Sequence, residues 1–176
     1  MDILKTLEEK AFWGHEFLTW LWFRIESSGG VLQVPGLGPV TLWIEDRMVL
    51  GSLDTESKEN ILKEGDVSRS GEAATALKVG KKLQEARFGL IREDRAYRLL
   101  LRGDTLDFPG IAVPKVLAEE GDDWHATALV RLGHVNECLA VVDALFAEFA
   151  ALRISAEWPD RVVPAMARWI EGKEGG

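Results

Sequence analysis

The sequence has a single cysteine, Cys138, among 176 residues. One thiol closes no internal disulfide, so the fold must hold without a covalent staple. Long apolar runs are missing too: the longest, residues 17 to 25, is broken by Thr19 and Arg24 and falls short of the ~20 residues that span a bilayer. No transmembrane helix and no membrane partner are expected. The chain does not open on a cationic, then apolar, leader with a small-residue cleavage site, and a cytoplasmic location is the expectation. Positive charge is scarce, with 21 lysines and arginines against 29 aspartates and glutamates and a net charge of −8. That balance opposes non-specific attraction to nucleic acid or anionic lipid, because such binding gains from counterions released around cationic side chains. Any nucleic-acid contact must come from a local basic surface.

Motifs that carry chemistry are few. His15-Glu16 begins like a zinc-protease helix, but Thr19 stands where the second histidine ligand belongs. His125 and His134 lie nine positions apart on one expected helix, on opposite faces, and share no ligand. Cys138 falls inside an apolar helical stripe, where a thiol is a small hydrophobe of raised pKa. Gly36-Leu37-Gly38 is followed by Pro39 and a strand, so it is a turn and not a phosphate cradle. The carboxylates at Asp104, Asp107, Glu119, Glu120, Asp122 and Asp123 would suit a Mg²⁺-dependent nuclease, yet such runs read first as a solvated connector. No enzyme activity, no metal site and no cofactor are expected.

What is present is an ordinary globular composition, 47% hydrophobic and 28% charged, in a chain long enough for one sizeable core. Residues 2 to 26 place Ile3, Leu4, Leu7, Ala11, Phe12, Phe17, Leu18, Leu21, Trp22 and Ile25 at helical spacing, stopped by Ser27 to Gly30. Strands follow at 31–34 and 40–45, with a third short one at 48–50 beyond a charged Glu45-Asp46-Arg47 corner. Residues 54–69 read as loop with a helical turn at 57–63; Ser70 caps a helix from Gly71 to Val79 that Gly80 closes. Residues 81–92 and 95–106 form a hairpin bending at Glu93-Asp94, with Tyr97, Leu99 and Leu101 on one side and Arg98, Leu100 and Arg102 on the other. A long helix over 124–152 carries Leu129, Leu132, Val135, Leu139, Val142, Leu145, Phe146 and Phe149 along one stripe, and a shorter one runs from Trp158 to Ile170. The sum is an α+β fold: an N-terminal helix, an antiparallel sheet of about five strands with one inserted helix, then the long and the shorter helix. Residues 1–114 form the α+β domain, and 115–176 a helical extension packing on the same core.

Two features invite a functional reading. Trp20 and Phe23 flank the core-facing stripe of the first helix, and are expected either to be capped by residues 124–170 or to make a homodimer contact. Basic residues bunch at Lys78, Lys81, Lys82, Arg87, Arg92, Arg95, Arg98 and Arg102, interleaved with Glu85, Glu93 and Asp94. If Arg87, Arg98 and Arg102 share a face of the sheet, that face can meet backbone phosphates.

The order of features, Glu16-Phe17-Leu18-Thr19-Trp20-Leu21-Trp22, a short meander, GEAATALKVGK at 71–81 and the hairpin from Leu83 to Phe108, resembles the C-terminal half of the recombination-associated protein RdgC family. These bacterial proteins are also labelled exonucleases. The resemblance covers roughly residues 12 to 114. It implies an α+β fold and a ring-shaped homodimer that encircles double-stranded DNA without sequence preference and restrains RecA-driven recombination, placing the protein at the nucleoid. The expected protein partner is a second copy of the chain or a separately encoded partner chain. The expected function is therefore a non-catalytic, DNA-associated protein with Lys78, Lys81, Lys82, Arg87, Arg98 and Arg102 on phosphates. The competing expectation is an acidic protein-interaction or oligomerisation module that binds no DNA.

Overall fold

The computed structural model describes residues 3–52, 59–63, 65–116 and 123–173, with side chains from residue 13 onward. Helix α1 (Ile3–Ser27) leads into β1 (Val31–Val34), β2 (Gly38–Gly51) and β3 (Asn60–Lys63). A short 3-10 turn (Val67–Arg69) and α2 (Gly71–Lys78) precede the hairpin β4 (Lys82–Arg92) and β5 (Arg95–Arg102). Strand β6 (Gly110–Ala112), α3 (Trp124–Arg153), a π-helical turn (Trp158–Val162) and α4 (Val163–Glu171) complete an α+β fold. Every strand pairing is antiparallel, in the order β1-β2-β4-β5-β6, with β3 also on β2.

The local signals act as expected at several points. Ser70 accepts a hydrogen bond from the Ala73 N–H at 3.1 Å as the N-cap of α2, and Gly80 ends that helix at φ +87°. The hairpin turns at Glu93-Asp94, with Tyr97, Leu99 and Leu101 buried and Arg98 and Arg102 exposed.

Three expectations need correction. The strand at 48–50 is not separate: β2 runs unbroken from Gly38 to Gly51. Between the pairs Ile44↔Phe88 and Met48↔Ala86, three residues, Glu45, Asp46 and Arg47, stand opposite Arg87 alone. The charged corner is thus a bulge that keeps the ladder going while re-aiming side chains. The helical turn expected at 57–63 is overturned at its described end, where Asn60–Lys63 is strand β3 paired with Arg47 to Leu50; residues 57 and 58 lie outside the described residues. Strand β6 was not expected at all; its three residues, Gly-Ile-Ala, carry too short a pattern to register as a strand.

The layering explains the aromatic run in α1. One face of α1 lies on the sheet: Gly14 sits so close to β5's end that a Cβ there would come within 1.7 Å of the Gly103 carbonyl oxygen. Thr19 Oγ1 accepts the Leu83 N–H at 2.9 Å, beside a bulge in β4, where Gln84 is skipped between the pairs Val49↔Glu85 and Leu50↔Leu83. The opposite face meets α3 and α4, with Phe17 5.1 Å from Phe146, Trp20 5.6 Å from Phe149 and Trp22 5.2 Å from Trp169, ring centre to ring centre. A helix between two layers must be apolar nearly all round. Trp20 is accordingly 1% exposed and Phe23 half-buried against Trp169 at 5.7 Å. Of the two alternatives for this pair, the structure shows capping by the chain's own C-terminal helices; covered in this way, Trp20 has no surface left for a homodimer contact.

Residues on either side of position 114 share this core, since Cys138, Val141, Leu145, Phe149 and Trp158 are buried with the α1 and sheet residues. The roles expected for Ile3, Leu4, Leu7, Ala11 and Phe12 concern side chains outside the described residues. No described helix is long and apolar enough to cross a membrane.

Candidate functional site

The helices cover one face of the sheet and leave the other open. Alternation along β4 and β5 puts Phe88, Leu90, Tyr97, Leu99 and Leu101 in the core and Arg87, Arg98 and Arg102 on the opposite face. The condition for a cationic face is therefore met in position. It is not met in charge. Arg87 Nη1 lies 2.8 Å from Asp46, Arg98 Nε 2.5 Å from Glu45, and Arg102 Nε 3.1 Å from Glu85, whose other oxygen takes Arg47 Nε at 2.6 Å. Four arginines and three carboxylates make a nearly balanced charged lattice across the open strands. The bulge is what delivers Glu45 and Asp46, two consecutive residues, to partners on one face. On the same face Trp43 lies across Gly89, where a Cβ would come within 2.2 Å of the indole. Alternation along residues 40–45 already sets Trp43 and Glu45 opposite Val40, Leu42 and Ile44; Asp46 and Arg47 lie in the bulge, through which alternation cannot be carried.

The three lysines do not join this face. Lys78 donates to the Lys173 carbonyl at 2.6 Å, Lys81 to Asn60 Oδ1 at 2.7 Å, and Lys82 to Glu16 of α1 at 3.2 Å. The six candidate phosphate ligands thus fall into two groups, three arginines on the sheet and three lysines around the end of α2 and the start of β4.

A second feature lies at the start of α3. Asp123 caps the helix by accepting the His125 N–H at 3.0 Å, and from Trp124 to Gly133 every residue is exposed except half-buried Thr127. Trp124 is 70%, Leu129 68% and Leu132 53% exposed. Of the expected stripe, Val142, Leu145 and Phe149 are buried and Val135, Leu139 and Phe146 half-buried, whereas Leu129 and Leu132 project into solvent. The arm from Trp124 to Asn136 carries one formal charge, Arg131, and is about 20 Å long at 1.5 Å per residue.

The arm leaves the body at Glu137. Its carboxylate accepts from Arg92 at 2.9 Å, Arg95 at 2.6 Å and the Tyr97 hydroxyl at 2.6 Å, with His134 Nδ1 3.9 Å away. Burial pushes the Glu137 carboxyl up, but the Tyr97 hydrogen bond and the two guanidinium groups outweigh it and hold the group below the usual carboxylate range. Burial, then the Glu137 hydrogen bond, pushes the Tyr97 phenol up to about 12. Arg92 and Arg95, read as part of the basic bunch, are structural partners of α3.

Other chemistry is sparse. Burial lifts the Cys138 thiol to about 11, far from a reactive thiolate. His15 is buried with Nδ1 unpartnered, and desolvation lowers its pKa; it borders a cavity of about 310 Å³ with Arg47, Glu85, Arg102 and Asp104. Among the described residues no group of three or more histidine, cysteine or acidic side chains is placed to hold a metal. Of the acidic connector, Glu119, Glu120 and Asp122 lie outside the described residues; Asp104 and Asp107 both bind Thr105. No protein-family model matches the sequence, and no curated protein matches it.

Proposed function

We propose that this chain is an RdgC-like, non-catalytic protein that associates with duplex DNA without reading its sequence, and that it works as an assembly of chains. The observation that carries the reading is the placement of Arg47, Arg87, Arg98 and Arg102 together on a sheet face that no described helix covers. Each guanidinium there keeps donors beyond the one bonded to its carboxylate, and a planar fork suits phosphate. The paired carboxylates hold the arginines extended and lower the affinity of a single copy. A weak face of this kind gains from repetition, which fits a homodimer or a paired partner chain.

The α3 arm supplies the assembly contact in this reading. The arm leaves Leu129, Val130 and Leu132 in solvent, and burying them is worth about 1.5–3 kcal/mol each before the cost of association. The test is duplex DNA binding across a salt series, read beside the oligomeric state. Binding that weakens linearly in log salt, by a protein larger than one chain, supports the reading; no detectable binding near 50 mM salt sinks it.

The second reading, an interaction module without DNA, draws on the same arm and on the carboxylates that balance the open face. It predicts assembly with no salt-dependent DNA affinity.

A further inference from the structure

Lys173, just past the end of α4, places its ammonium in a site with a complete set of partners. Nζ lies 4.4 Å from the centre of the Trp22 ring and 4.8 Å from that of Trp169. It donates to both carboxylate oxygens of Glu26 at 2.9 Å and to the Ser68 carbonyl at 3.2 Å. A primary ammonium has three N–H donors, and three acceptors meet them here. The two indoles stand at 86° to each other, forming two walls. Each wall also donates its Nε1–H to Glu26, Trp22 at 2.6 Å and Trp169 at 2.8 Å. The carboxylate is therefore fixed by the protein independently of the cation it receives.

We propose that Trp22, Trp169, Glu26 and the Ser68 carbonyl form a binding site for a primary alkylammonium group, which the chain's own Lys173 occupies as a displaceable plug. Aromatic faces attract any cation, but the three acceptors select one that donates three hydrogen bonds, so a quaternary ammonium loses that part of the interaction. The site is not sealed: Lys173, Glu26 and Ser68 line an open cleft of about 290 Å³ together with Arg69, Ser70 and Ala74. A lysine side chain of another protein or a polyamine has the chemistry to enter along it. Nothing in this inference depends on DNA binding.

Chemical rescue tests it. Lys173→Ala empties the site and lowers the melting temperature by several degrees. n-Butylammonium chloride then restores it saturably and shifts the indole N–H resonances of Trp22 and Trp169. Tetramethylammonium chloride at equal ionic strength acts at least about tenfold more weakly, because it cannot donate. Adding Glu26→Gln to the Lys173→Ala background abolishes the response. The wild-type protein needs far more amine, since tethered Lys173 competes at an effective concentration of order millimolar or above. If Lys173→Ala does not fold alone, its folding in n-butylammonium but not in tetramethylammonium is the same positive result. No saturable response, an equal response to both cations, or failure to fold in either overturns the proposal.

Discussion

Tyr97 is the chain's one tyrosine, so the absorbance of its phenolate reports a single site, the joint where the α3 arm leaves the body. The hydroxyl is 2.6 Å from Glu137 Oε2, on a side chain buried in the hairpin. Burial and the neighbouring carboxylate both disfavour a second negative charge, and the phenol titrates near 12, not near 10. The folded pKa is raised, so the associated stability is complete below the unfolded value near 10 and is lost as pH rises from there through about 12. Glu137→Gln lowers the midpoint but leaves it above 10, because burial, the larger cause, persists. Tyr97→Phe removes a hydrogen bond to a charged group, worth about 1.5–3 kcal/mol, and each kcal/mol lowers the melting temperature by about 2–4 °C in a chain of this size. In a double-mutant cycle, Tyr97→Phe should cost much less once Glu137 is glutamine. A wild-type midpoint near 10, or additive single mutants, would refute this account of the joint.

Phe149 packs against the rings of Trp13, Phe17, Trp20 and Trp158, so Phe149→Ala should cost about 3–5 kcal/mol in urea unfolding; a loss under about 1 kcal/mol would show that the helical layer is loosely packed. His15 has its pKa lowered by burial, which favours its neutral form in the fold, so stability holds above the unfolded value near 6.5 and declines as pH falls below it. His15→Gln should flatten the urea midpoint between pH 6.5 and 5.5; an unchanged slope would clear His15 of that role. Replacing both Leu129 and Leu132 by glutamate should leave the melting temperature within a few degrees while abolishing self-association in sedimentation, because these side chains project from the body. A large loss of stability in a monomeric wild type would instead show that they pack within one chain.

Most of the architecture was legible because it rests on local rules. The Ser70 cap, the Gly80 stop and the alternation Tyr97, Leu99, Leu101 each follow from a few adjacent residues. What escaped depends on contacts distant in sequence. The bulge at Glu45 to Arg47 is defined only against Phe88 and Ala86, and without it the pairing of Asp46 with Arg87 could not be placed. The apolar spacing of α3 is continuous across Leu132 and Val142, yet only the second has a sheet and an α1 beneath it. Periodicity tells which residues want cover, not where the cover ends. Trp20 and Phe23 illustrate the same limit from the other side, since the rings that bury them come from Phe149 and Trp169.

The central claim is that the uncovered arginines meet phosphate. Its most direct test is the slope of log affinity for a duplex against log salt, for the wild type and for Arg87→Gln, Arg98→Gln and Arg102→Gln combined. If all three contact phosphates, the slope magnitude falls by about 2–3, near one counterion for each lost contact. A wild-type protein with measurable affinity whose slope is unchanged by the triple substitution would place DNA elsewhere and contradict the account.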